Sequence, residues 1–211
     1  MKDPSVSHYR LTIHLALAVA LYALLFWTGI GIIRAPFKRS APPELPIIGR
    51  LSLISCIAVT FTILYGGLVA GLKAGLIYNT FPLMGGQFIP DEWAFYDPFW
   101  LNFLENAALV QWVHRWLASG TVVLALFTAW KAWGHSPNKH TRIIALFFAS
   151  ATLFQAVLGV LTLLFQVPVS LGVLHQGTAV VVLSFGMYLY YLGKEQKKLP
   201  NFGLGRTIEL V

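Results

Sequence analysis

The length of its apolar runs constrains this chain more than any other feature. Five blocks, at roughly 11–33, 51–72, 108–130, 143–165 and 169–192, are dominated by apolar side chains and hold few charges. A helix needs about 20 apolar residues to cross a bilayer, and uninterrupted runs above about 18 read as transmembrane helices. Only 11% of the 211 residues are charged and 57% are hydrophobic, whereas a soluble domain carries about 25% charge. The pattern predicts an all-α polytopic membrane bundle of five transmembrane helices.

The net charge of +7 would suggest nucleic acid as a partner in a soluble chain. Here membrane orientation accounts for it, so the partner expected is lipid and not nucleic acid. If the first block runs from side A to side B, only Lys2, Arg10, Lys73 and Arg115 lie on side A. The remaining eleven basic residues fall on side B. Positive charge collects on the cytoplasmic or matrix side, which places the N-terminus outside and the C-terminus inside. The first apolar run is too long for a signal peptide, and no Arg- and Ser-rich presequence precedes it. A bacterial inner membrane is therefore expected ahead of a mitochondrial one. The single Cys56, within the second block, forms no intrachain disulfide.

The chain divides unevenly. Residues 1–50 hold the first helix and a Pro-rich basic linker, RAPFKRSAPPELPIIGR (34–50), whose prolines interrupt any helix. Residues 51–193 hold four helices, and 194–211 form an inner tail. Within the four-helix part, residues 73–107 make a loop of a length that is usually functional. It is rich in Tyr, Phe and Trp, with Asp91, Glu92, Asp97 and Glu105 as its acids, and reads as an aromatic cap over the outer helix ends. Gly67, Gly71 and Gly75, beside Gly66, Ala70 and Ala74, read as a helix-packing surface.

Three of six histidines lie inside apolar blocks: His14, His114 and His175. Each sits in a helix that enters from side A, roughly 6–10 Å below its outer end at about 1.5 Å per residue; Ser170 is a candidate cap for the last of them. Ionisable side chains in a membrane tend to face the bundle interior. Two histidines on facing, neighbouring helices suit bis-imidazole ligation of a haem iron. No Cys, Asp or Glu within the helices accompanies them as zinc would require, and no C-x-x-C-H attaches haem covalently. Arg115 has two readings: it meets an anion such as a haem propionate, or it snorkels to the membrane surface.

Four stretches carry a family resemblance: HYRLTIHLALA (8–18), GGLVAGLKAGLIYNTFPLMGGQFIP (66–90), FLENAALVQWVHRWLA (103–118) and FQAVLGVLTLLFQVPVSLGVLHQGTAVV (154–181). In order and spacing they resemble the heme A synthase family. The resemblance implies two four-helix halves, each with a histidine pair on its second and fourth helices. The C-terminal pair ligates haem b, and the N-terminal pair forms the site where haem O is oxidised. By that match the second to fifth helices form the haem b half, with His114 and His175 as iron ligands. His14 matches one catalytic ligand of the substrate-haem site.

Departures from the family pattern are equally plain. The family's first three helices, with the other substrate-site histidine and an acidic residue ahead of it, have no counterpart here. The outer-loop cysteines of some bacterial members are missing, and Lys73 stands where many members have Asp. The resemblance thus implies an oxidoreductase, or part of one, converting haem O to haem A for cytochrome oxidase. Its candidate partners are the missing half, a haem O synthase or a second copy of the chain. The competing readings are a b-type cytochrome domain that carries electrons without catalysis, and a transporter or structural protein whose histidines only bridge helices.

Overall fold

The computed structural model describes residues 6–34 and 45–194. Linker residues 35–44 and the tail 195–211 lie outside the described residues. Six α-helices follow one another: α1 (His8–Arg34), α2 (Pro46–Gly71), α3 (Asn102–Glu105), α4 (Ala107–His135), α5 (Lys139–Leu164) and α6 (Val169–Lys194). No sheet forms among the described residues, where the only strand-like pairing is one bridge between Met84 and Gln87.

The expectation of five transmembrane helices is not met. Among the described residues four helices are long and apolar enough to cross a membrane: α1, α2, α5 and α6. At 29 residues α4 is the longest helix, but Gln111, His114, Arg115, Lys131 and four tryptophans dilute its apolar content. Its polar head is covered by neighbouring protein, so it does not need the uniformly apolar surface of a lipid-facing span. The single-turn α3 was not foreseen either.

Local signals explain the helix ends. Pro46 opens α2, where its missing N–H is not needed. The Asn106 side chain accepts from the amides of Ala108 and Leu109 to start α4, and Asn138 accepts from His140 N to start α5. The α5–α6 hairpin is tight, with Gln166 and Val167 both left-handed at φ 58° and 57°. For non-glycine residues that costs roughly 1–2 kcal/mol each. The helix that follows begins at Val169, so Ser170 lies in its first turn and is not the cap.

Helices α2, α4, α5 and α6 form a four-helix bundle in which α2 packs on α4 and α6, and α5 packs on the same two. Hydroxyl pairs join α2 to α4, with Ser55 and Thr128 3.2 Å apart and Thr62 and Thr121 3.1 Å apart. These pairings run antiparallel. On the outside, α1 lies against α2 and α6; Thr12 and Leu15 abut Gly67, and His8 abuts Gly71. The small-residue surface of α2 is thus used for helix packing at Gly67 and Gly71, as its spacing suggested.

Packing is uneven along the bundle axis. The main buried cluster draws on Ile48 and Val59 of α2, Ala125–Ala132 of α4, Ile144–Ala149 of α5 and Val182–Leu192 of α6. All lie toward the end that carries Arg34, Arg50, Lys131, Lys139, Arg142 and Lys194. The opposite half, beneath the 72–106 loop, lies outside that cluster.

Candidate functional site

Two of the three predicted histidines lie in that half, outside the main buried cluster. His114 and His175, both half-buried, stand on α4 and α6. These helices are not neighbours packed side by side, as the sequence suggested. They occupy diagonal corners of the bundle, separated by α2 on one side and α5 on the other. Cofactor sites in helical bundles are built from residues on helices that face one another across the core, and a diagonal pair leaves the axis between its side chains.

Each imidazole rests in a notch where the adjoining helix has a glycine. A Cβ on Gly66 of α2 would lie 3.3 Å from His114 Cε1, and a Cβ on Gly159 of α5 would lie 2.9 Å from His175 Cε1. Only a residue without a side chain lets the rings sit that close to the helix backbone. Gly66 therefore does more than pack helices, and Gly159 was not singled out from sequence. Their position at four-residue spacing from other polar or small residues, Gln155 above all, was the available signal.

Beyond the notch the two corners differ. His175 is held: the Gln155 amide nitrogen lies 3.1 Å from its Nδ1 and 2.8 Å from its carbonyl oxygen. The Thr178 hydroxyl donates in turn to Gln155 Oε1. His114 Nδ1, by contrast, is buried with no hydrogen-bond partner, as are Gln111 Oε1 and Arg115 Nε on the same stretch of α4.

Arg115 has a third occupation that neither sequence reading named. Its Nη1 donates to Thr80 O at 2.7 Å and its Nη2 to Tyr78 O at 2.9 Å. Gln111 Nε2 donates to the same Tyr78 carbonyl at 3.0 Å, and Trp112 Nε1 to Phe88 O at 2.8 Å. One and a half turns of α4 thus fasten the loop over the histidine end. Asn102, fully buried, organises the rest, accepting from Phe95 N and Tyr96 N and donating to Tyr96 O and Phe99 O. Tyr78 also donates to Glu92; that hydrogen bond pushes Tyr78 up to about 12 and holds the Glu92 carboxyl below its ordinary value.

His14 is not brought to this site. It is exposed on α1 and makes no hydrogen bond or ion pair among the described residues. The helix end beside it is tied down separately, Tyr9 donating to Glu105 at 2.5 Å and His8 Nε2 lying 3.4 Å from the same carboxylate. Among the described residues no group of three or more His, Cys, Asp or Glu converges on a common point.

These features describe an integral membrane helical bundle with a histidine on each of two diagonally placed helices beneath an ordered loop. The chain belongs to the COX15-CtaA family of cytochrome oxidase assembly proteins, whose family model matches residues 1–187. It is 41% identical over 190 residues to the heme A synthase of Rhodospirillum centenum, covering 89% of this chain and 50% of that protein. The heme A synthase of Bartonella bacilliformis is 41% identical over 187 residues, 87% of this chain and 50% of that protein. That of a Wolbachia from Brugia malayi is 38% identical over 196 residues, 91% of this chain and 55% of that protein. The chain therefore spans about half the length of the curated relatives it matches. These relatives are bacterial, in keeping with an integral bacterial membrane protein. No solved structure matches the chain.

Proposed function

We propose that this chain is the haem b-binding part of a heme A synthase, with His114 and His175 as axial ligands. The whole enzyme then oxidises a methyl group of haem O to the formyl group of haem A. One observation supports the reading: two imidazoles, each set against a glycine of the adjoining helix, stand on diagonally placed helices in the half of the bundle away from the main buried cluster. The residues present fit the group. Two imidazoles on diagonal helices are the donor set that a bis-histidine haem requires, and the half of the bundle around them lies outside the main core cluster. Haem b with two histidine ligands has no open coordination position, so it supplies electron transfer and not bond-making.

The chain's own residues then divide the work. Gly66 and Gly159 set the planes of the two rings, and Gln155 fixes the second. Gln111, Trp112 and Arg115 hold the loop across the outer opening and keep water out. Arg115 Nε, buried without an acceptor, is the group free to meet a propionate. His14 belongs to the substrate-haem site, whose second ligand comes from another half or a second copy. The basic end of the bundle faces the cytoplasm, with the loop and the histidines outside. The isolated position of His14 favours one second reading, a b-type cytochrome domain without catalysis.

The test is to purify the 211-residue chain in detergent from a haem-replete host. One haem b per chain with a low-spin bis-imidazole spectrum is expected, lost in His114→Ala and His175→Ala and kept in His14→Ala. A preparation without haem, or a spectrum indifferent to His114 and His175, overturns the assignment. Haem A extracted from a host that lacks its own synthase separates catalysis from the cytochrome reading.

A further inference from the structure

The Gln155 amide makes contacts that suit haem-free His175 and not a ligating one. Its nitrogen faces His175 O at 2.8 Å, and an amide oxygen there would set oxygen against oxygen. The same nitrogen lies 3.1 Å from His175 Nδ1. An amide NH2 only donates, so Nδ1 accepts and the ring proton sits on Nε2. A histidine that binds a metal through Nε2 needs the opposite arrangement, with its proton on Nδ1 and donated to an acceptor.

Gln155 holds that acceptor in reserve. Its Oε1 now accepts from Thr178, whose hydroxyl also lies 2.9 Å from Leu174 O and 3.2 Å from His175 O. If the amide turns over and swings off the His175 carbonyl, Oε1 meets Nδ1–H. The amide nitrogen then donates to Thr178 Oγ1, and the hydroxyl proton goes to Leu174 O. The exchange relinquishes one bond, to a helix carbonyl with its own i+4 partner, and leaves every other group paired. The ring carries one proton throughout, on Nε2 before and on Nδ1 after, so none is gained or lost. At the His114 corner no side chain offers this: Nδ1 there has no hydrogen-bond partner, and the polar group beside the ring is the Thr62 backbone.

Resting on the haem b reading above, we propose that Gln155, supported by Thr178, is a positioning residue that turns over to accept a proton from His175 Nδ1 when haem b binds. It thereby fixes the ligating tautomer and strengthens His175 as a donor to the iron. An accepted Nδ1–H bond raises ligand basicity, and a more basic ligand favours ferric iron. Gln155 therefore holds the haem at a lower midpoint potential than His175 alone would set.

The test uses the full chain loaded with haem b. Gln155→Glu keeps the shape and accepts more strongly, so its midpoint potential falls below that of the unsubstituted chain. Gln155→Leu keeps the bulk and accepts nothing, so its potential rises. Opposite signs are the expected result; no shift in either variant, or two shifts of one sign, overturns the proposal. Should Gln155→Leu lose haem, nitrogen NMR of histidine-labelled, haem-free protein decides. His175 is expected as the Nε2–H form in the unsubstituted chain and as a mixture of tautomers in the variant, and identical spectra reject the role. A wild-type chain with no bis-imidazole haem would reject the haem reading itself, a failure seen before any variant is made.

Discussion

The two histidine corners share a plan and differ in finish. At the α2–α4 corner, His114 lies in the Gly66 notch with its Nδ1 unpaired, while Gln111 and Arg115 reach away from it to the loop. At the α5–α6 corner, His175 lies in the Gly159 notch and Gln155 binds it directly. One corner spends its polar side chains on closing the site, and the other spends them on orienting a ring. A buried polar atom without a partner costs roughly 1–3 kcal/mol. The α2–α4 corner carries that cost at His114 Nδ1, which a pre-set α5–α6 corner avoids.

Removing either imidazole breaks the comparison outright and should have the largest effect. His114→Ala and His175→Ala are each expected to abolish the bis-imidazole spectrum, and His14→Ala to leave it unchanged. Spectra of the purified variants decide this; retention of a low-spin haem by either of the first two would show that the corners are not a pair.

Adding one methyl group to each notch sharpens the contrast. In Gly159→Ala the new Cβ would sit 2.9 Å from a ring already bound by Gln155, whereas in Gly66→Ala it would sit 3.3 Å from a freer one. Overpacking costs about 1–3 kcal/mol, so Gly159→Ala should weaken haem binding about tenfold or more, and Gly66→Ala distinctly less. Haem titration of the two apoproteins measures both; equal losses would mean that the notches do not differ.

The loop-closing role of the α4 corner predicts a smaller, local effect. Arg115→Gln loses two charge-assisted bonds to Tyr78 and Thr80, each worth about 1.5–3 kcal/mol before solvent screening. Faster proteolysis and amide exchange across 78–106 are expected, with helices α5 and α6 unaffected. The same variant should leave the Gln155 contact intact, so a change in exchange near His175 would join the two corners into one unit.

The smallest effect is that of pH on the loop. Hydrogen bonding to Tyr78 lowers the Glu92 carboxyl from its ordinary 4.5. A lowered carboxyl contributes stability above its unfolded value, lost as pH falls through the folded one. Tyr78, pushed up to about 12 from 10.0, contributes in the opposite direction. Its share is complete below 10.0 and disappears as pH rises through about 12. Amide protection near residues 78–92, taken as the exchange rate relative to the intrinsic rate at each pH, should therefore be greatest between the acid carboxylate range and the phenol range. Glu92→Gln should flatten the acid limb.

Much of this was legible in the chain. Apolar runs of bilayer length and the absence of strand patterning set an all-α membrane fold, because helix formation and membrane partition depend on local composition. The loop's aromatic content and the three histidines were equally local, as was the family resemblance. The number of membrane-length helices was not. The α4 run resembles the others in length, but its Gln111, His114 and Arg115 are satisfied or covered by protein contacts that composition does not record.

Only the tertiary structure decided which faces meet. Helical periodicity shows that Gln155 and Gly159 share a face, but not that this face receives His175. The sequence placed Gly66 in a packing stripe, and packing divided that stripe between α1, at Gly67 and Gly71, and the His114 ring, at Gly66. Arg115 stands one residue after His114, so it points about 100° away and its partners are whatever the long loop brings there. The diagonal arrangement of α4 and α6 follows from the packing order of four helices, which no local signal encodes. Helix formation follows from neighbours along the chain; what each histidine packs against follows from neighbours in space.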